Sequence, residues 1–343
     1  MRFTHVTKLA AALIGGLTLL ATPVAAQDLR ETAKRLLGGV SAATPEEIAT
    51  PTAQLGQALF WDMRLSVNGQ VACASCHYRE NWGSDSREQS INARGGRTLQ
   101  SQTVFHSMDT PGLRWLADRA SGKAQAMGSI TGSMGFASRE EILPVLVEHG
   151  YTDLFKAAFP NDSDPVSVEN YGQALEDYQR TLKTPAPFDA WLAGDDSAMT
   201  EAQVNGLQHF INVGCVGCHQ GELIGGTMLQ KFGVVEGYWT HTGSPDINSG
   251  LMRASGREED RFFFRVPLLR NIAKTYPYFH DGSVSDLRRA TDIMARIQLG
   301  QVLEDKVLDE LVAFQEALTG ELPVNFLPPE GIPFELPEGV EAK

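Results

Sequence analysis

Two five-residue stretches carry the most definite chemistry in this chain. Residues 73–77 read Cys-Ala-Ser-Cys-His, and residues 215–219 read Cys-Val-Gly-Cys-His. C-x-x-C-H is the attachment signature of c-type haem. Cys73 and Cys76, and again Cys215 and Cys218, would each add two thiols to the two vinyl groups of one ring. The following residue, His77 or His219, would then stand beneath the iron as its proximal ligand. Other chemistries use paired cysteines. Four cysteines in an exported chain suggest disulfides, one pair alone is a redox dithiol, and both pairs together are a zinc site. A thioredoxin-like dithiol needs a strand before it and a helix opening on it, and a zinc site needs both pairs on one metal. Two copies 142 residues apart, each closed by His and with no cysteine left over, point to two haems c.

The elements that must position these motifs repeat with them. Gly56-Gln57-Ala58-Leu59-Phe60 leads into the first and Gly206-Leu207-Gln208-His209-Phe210 into the second. Each is G-x-x-x-F on an expected helix, with the glycine admitting a second helix and the phenylalanine packing on the ring. Each half closes on an amphipathic helix. Tyr171, Leu175, Tyr178 and Leu182 share one face, as do Val307, Leu311, Phe314 and Leu318. Helix, C-x-x-C-H, loops and closing helix, used twice, predict a mainly α fold of two cytochrome c-like domains with one covalent haem each. The polar stretch Ala193-Gly194-Asp195-Asp196-Ser197 divides them, and Thr200 with Gln203 can cap the next helix. The expected domains are therefore 27–194 and 195–320. Residues 321–343, rich in Pro and Glu, are expected to run extended over the surface.

The start reads as a secretory signal. Arg2 and Lys8 precede the twelve-residue apolar run Leu9–Leu20, and Val24-Ala25-Ala26 offers a cleavage site before Gln27. Removing residues 1–26 takes away two positive charges and no acid, moving the formal net charge from −13 to −15. Such a surface argues against nucleic acid, which needs a basic face, and favours a basic partner by electrostatic steering. Export and acidity together predict a periplasmic protein with no membrane span after cleavage.

Several further stretches resemble the bacterial diheme cytochrome c peroxidase family. They are Arg265-Val266-Pro267-Leu268-Leu269-Arg270-Asn271, Tyr276-Pro277-Tyr278-Phe279-His280-Asp281-Gly282-Ser283 and Met294-Ala295-Arg296-Ile297-Gln298-Leu299-Gly300 in the second half. Arg114-Trp115-Leu116-Ala117-Asp118-Arg119-Ala120, followed by Gln125, and Phe188-Asp189-Ala190-Trp191-Leu192 match in the first. The resemblance implies unequal haems. The C-terminal one has His219 and Met294 as ligands, and a thioether raises the potential by favouring reduced iron. The N-terminal one, on His77, is where hydrogen peroxide is reduced. Gln125 matches a residue beside the peroxide, and Trp115 matches the tryptophan between the haems. The implied partner is a small electron-donor cytochrome c or cupredoxin, and a homodimer is expected. The family's calcium between the haems would fall on Thr98 and on the carbonyls of Arg265 and Pro267, carbonyl oxygen suiting this ion. His280 would support the C-terminal pocket. Tyr238, Trp239 and Tyr276 are expected to pack on haem, and His149, His209 and His241 to be surface or helix histidines.

Two departures stand out. No His lies between His77 and Arg97, where relatives often carry a removable distal ligand; Asn92 and Ala93 fall there instead, and His106 comes too late. The distal acid is missing as well. Residues 129–135 hold no Asp or Glu, and Glu140 and Glu141 come later. Three functions follow in order of preference: a peroxidase, an enzyme that uses peroxide to oxidise a partner protein as in tryptophylquinone maturation, and a two-haem electron carrier. The protein-oxidising relatives have Tyr in place of Met294.

Overall fold

A computed structural model describes residues 24–244 and 247–336. The proposed signal segment falls outside the described residues, apart from the opening of the helix Val24–Leu36. Among the described residues no helix is long and apolar enough to cross a membrane. The chain is mainly α, as expected. Among the described residues the sheet is one short antiparallel pair, Leu229–Lys231 with Phe263–Arg265.

Each half rests on one crossed pair of helices, and a glycine sets each crossing. The helix Pro51–Trp61 begins at Thr50, whose side chain accepts from the Ala53 N–H, with Pro51 in the first turn. It packs against the helix Val168–Arg180. A Cβ on Gly56 would collide with the carbonyl of Ala174. The second half repeats this. The helix Glu201–Val213 is capped reciprocally by Thr200 and Gln203, and a Cβ on Gly206 would collide with the carbonyl of Glu310 in the helix Asp305–Glu316. The aromatic stripes are core: Tyr171, Leu175, Tyr178, Phe314 and Leu318 are each fully buried. Backbones this close exclude any side chain at the contact, which is why both halves need glycine there.

The expected division of the chain does not follow the cores. Leu29, Ala33 and Leu37, near the start, pack with Phe188, Trp191, Leu207 and Phe210 in the core of the second half. Arg30 lies over the Trp191 ring, its guanidinium carbon 4.5 Å from the ring centre. At the other end the described part of the Pro- and Glu-rich segment, 321–336, makes no helix or strand and is mostly exposed or half-buried, but it is pinned at Asn325 and Phe326. Phe326 is fully buried among Phe60, Trp61 and Phe105 of the first half, at 4.8–5.9 Å between ring centres. Gln57 donates to the carbonyls of Asn325 and Leu327, and Tyr178 to that of Asn325. The two halves thus exchange their ends.

Between them runs a polar seam. Arg270, fully buried, holds Asp189 with two nitrogens at 2.8 and 2.9 Å. Asn271 donates to the Thr184 hydroxyl, which also meets His106 Nε2 at 2.9 Å. Asn271, through Thr184 and His106, therefore ties the halves together, while Arg270 anchors the helix Pro187–Ala193 within the second by Asp189, a buried pair of a kind that is costly to break from one side.

Candidate haem-binding and active site

Both C-x-x-C-H motifs follow the N-terminal helix of their half and fold as a single tight turn, Cys73–Ser75 and Cys215–Gly217. Each histidine is fixed by its far nitrogen. His77 Nδ1 lies 2.9 Å from the Gly83 carbonyl and 3.4 Å from the Ser101 hydroxyl, with the Gln102 carbonyl beside it. His219 Nδ1 lies 3.3 Å from the Ile224 carbonyl and also faces that of Pro267. A carbonyl accepts from Nδ1–H, so the neutral ring presents Nε2 as a donor of electrons to a metal. Burial supports the neutral state, pushing His219 down to about 4.

The cysteines do not suit the competing chemistries. All four are unpaired. Burial pushes the Cys73 and Cys76 thiols up to about 12 and Cys215 to about 11. A redox dithiol needs a lowered pKa, because the thiolate is the reactive form. Among the described residues no group of three or more His, Cys, Asp or Glu side chains is placed to hold an ion, so the two pairs do not converge on a zinc site.

Each motif opens on its own cavity. The larger, about 200 Å³, is lined by Phe210, Cys215, Cys218, His219 and Met294, with Trp115, Arg265 and His280 among its other walls. Met294 reaches it from the helix Leu287–Leu299. Its lining is mostly apolar, but two buried nitrogens in these walls lack partners, His280 Nε2 and Arg265 Nη1. An apolar slot with thiols, a presented imidazole, a thioether and unsatisfied donors fits a planar apolar ring that carries carboxylates. The smaller cavity, about 70 Å³, is lined by Cys73, Cys76, His77, Phe60, Gln125 and Met134, with Ser129, Ser133 and Gln179 as further polar groups. Gln125 comes from the helix Gly122–Thr131, capped by Ser121. Among the described residues no carboxylate and no second histidine lines it. Glu141 instead accepts from the Ala137 N–H, and His106 is held by Thr184 with burial pushing it down to about 3.

Trp115 stands in the seam. Its indole N–H donates to the Gln100 carbonyl at 2.8 Å, and its ring meets His280 edge-on at 6.3 Å. His280 itself stacks on Phe264 at 4.3 Å. Ser101 and Gln102 touch His77, while Trp115, bonded to the neighbouring Gln100, lines the larger cavity. Of the blander aromatics, Tyr238 is buried and stacked on Phe232. His209 and His241 pair with Glu310 and Glu236. The calcium residues are otherwise engaged. The Thr98 hydroxyl donates to the Ser90 and Leu99 carbonyls, the Pro267 carbonyl faces His219, and Arg265 brings a cationic side chain.

The structure adds residues that spacing did not reveal: Met134 and Gln179 in the smaller cavity, Gln102 and the Arg265 side chain in the seam, and Asp85. The Asp85 carboxyl is fully buried, accepts from Ser90 at 2.7 Å, and sits close enough to Cys76 to raise its thiol. Burial raises Asp85 from 3.8 to about 6, and the Ser90 and Arg87 donors offset this only in part. The folded carboxyl holds its proton more tightly than the unfolded one, so this group lowers stability as pH rises from about 4 to about 6. Asp85→Asn is expected to stabilise the protein at pH 7 by on the order of 2 kcal/mol and to have no such effect at pH 4. Thermal unfolding at both pH values checks this; an equal gain at both would rule it out.

Comparison with known proteins agrees with this geometry. Residues 50–197 match the family described as di-haem cytochrome c peroxidase. The chain is 37% identical over 293 residues to a cytochrome c551 peroxidase of Nitrosomonas europaea, covering 84% of this chain and 85% of that one. It is 35% identical over 326 residues to the cytochrome c551 peroxidase of Pseudomonas aeruginosa, covering 90% and 92%. The crystal structure of a MauG-like protein associated with microbial copper homeostasis superposes with a TM-score of 0.72 at 26% identity, over 84% of this chain and 97% of that one. With relatives of that name 37% and 35% identical over most of its length, the chain belongs to the di-haem cytochrome c peroxidase family.

Proposed function

We propose that this is a periplasmic enzyme with two covalent haems c that reduces hydrogen peroxide to water at the His77 site. Electrons enter singly at the His219 and Met294 site from a small cytochrome c or cupredoxin. The observation that supports this reading is that each C-x-x-C-H histidine has a cavity of its own, with Met294 and a second histidine, His280, in the walls of the larger, and Gln125, Gln179, Ser129, Ser133 and Met134 but no histidine besides His77 in those of the smaller. Haem supplies the electron storage and the peroxide cleavage. The chain supplies the rest. His77 and His219 are held as neutral ligands by backbone carbonyls. Gln125 lies in the wall of the N-terminal cavity, where its amide can orient a peroxide by hydrogen bonding. The Ser129 and Ser133 hydroxyls lie in the same wall and can pass a proton, which a carboxylate would do in a more usual acid–base arrangement. Trp115, anchored to Gln100, provides an aromatic step between the halves. Two electrons and two protons convert one peroxide to two waters.

A cavity without an ionisable acid also favours a second reading, in which peroxide-derived oxidising power is passed to a partner protein. Steady-state turnover of peroxide with a reduced small cytochrome c separates the two. Robust turnover supports the peroxidase; negligible turnover with oxidation of a protein side chain supports the other. The same lining predicts the spin state. The fully oxidised protein should show a high-spin N-terminal iron by electron paramagnetic resonance, and turnover should need no prior reduction. A signal from two histidine ligands on that iron would contradict the reading.

A further inference from the structure

The seam between the cavities holds a cation that has no counter-ion among the described residues. Arg265 is 4% exposed. Its Nε donates to the Arg114 carbonyl at 3.0 Å and its Nη2 to the Gln102 side-chain oxygen at 2.7 Å. Both acceptors are neutral, and Nη1 has no partner at all. Among the described residues no carboxylate faces the group; burial alone lowers it, to about 10, so it remains charged at pH 7. A buried guanidinium left in this state is expensive, and native structures keep one where an anion is to be met. The side chain lines the cavity of Cys215, Cys218 and His219. Its backbone N–H donates to the Trp115 carbonyl at 2.7 Å, so the same residue also fixes the aromatic step.

Calcium does not fit beside it. A divalent ion would meet a fixed positive charge in place of carboxylates, a Thr98 hydroxyl already donating to two carbonyls, and a Pro267 carbonyl that faces His219. Calcium asks for six to eight oxygen ligands.

We propose that the Arg265 guanidinium is the resident cation of the seam, that it pairs with a carboxylate of the haem held by Cys215 and Cys218, and that this seam binds no calcium. The proposal rests on the two-haem reading above. A positive charge beside a haem favours the reduced iron, so the pair also helps to hold the potential of the electron-entry site high.

The test uses holoprotein, first assayed for two covalent haems per chain by pyridine haemochrome; a shortfall there would sink the two-haem reading itself. Arg265→Gln is expected to shift the C-terminal potential downward in a spectroelectrochemical titration and to move the propionate bending band in resonance Raman. Arg265→Lys should keep most of the potential, since it keeps the charge. Wild-type protein dialysed against calcium buffer should carry substoichiometric calcium by atomic emission, and a chelator should leave its spectra and turnover unchanged. Wild-type potentials and an unmoved band in Arg265→Gln would overturn the pairing. One calcium per wild-type chain would overturn the metal-free seam, and that measurement stands even if the glutamine variant fails to fold.

Discussion

Replacing Met294 by His is expected to lower the midpoint potential of the C-terminal haem by about 0.2 V, within the roughly 0.8 V that axial ligands command. The sign follows from ligand chemistry. A thioether favours reduced iron, whereas imidazole stabilises the oxidised state. For a one-electron couple about 59 mV is tenfold in the equilibrium, so the site would lose about three decades of electron occupancy against a fixed donor. Turnover with a reduced small cytochrome should fall by at least about 100-fold on the same conversion, with the N-terminal haem spectrum unchanged. The proposed role rests on Met294 coming from the helix Leu287–Leu299 into the cavity that His219 also lines. A variant whose potential and turnover match wild type would show that some other residue caps that iron, and would move the chain toward its protein-oxidising relatives.

Gly206→Ala is expected to destabilise the second half strongly, against the ordinary rule that alanine improves a helix by about 1 kcal/mol over glycine. The methyl would fall on the Glu310 carbonyl and crowd the Phe314 Cβ. Backbone cannot turn aside as a long side chain can, and overpacking of this kind costs about 1–3 kcal/mol or more. The helices would have to part, and with them the walls that carry Phe210 and Cys215. Gly206→Val should prevent haem loading of this half altogether. Circular dichroism melts with haem counts per chain measure both effects. An alanine variant as stable as wild type would mean that the crossing is looser than described. Gly56→Ala should do the same to the first half, through Ala174 and Tyr178.

What could be read from the sequence was whatever is local or periodic. The C-x-x-C-H pentads, the paired G-x-x-x-F helices and the Thr200–Gln203 cap are short-range patterns with one physical meaning each. The absence of a distal His between His77 and Arg97, and of an Asp or Glu in residues 129–135, was also visible as missing letters. What escaped is set by distant contacts. Nothing in the composition of residues 321–336 distinguishes Phe326 from a surface residue, because its burial depends on a slot made by Phe60, Trp61 and Phe105 far back in the chain. Arg265 read as a carbonyl donor for calcium, since only the fold shows a side chain enclosed by neutral acceptors. Asp85 and Gln179 are polar residues whose importance lies in being buried, and periodicity has no signal for that.

The seating of Phe326 has a meaning in time as well as space. A ribosome delivers the chain in order, so the aromatic slot beside the first motif stays open until Phe326 has emerged. Its mirror is the helix Val24–Leu36, made first but waiting for Leu207 and Phe210 to arrive. Neither half can be completed before the other exists. Separately expressed halves cut at the linker would each lack a piece that the other carries, so this molecule should mature as one object rather than as two modules in sequence.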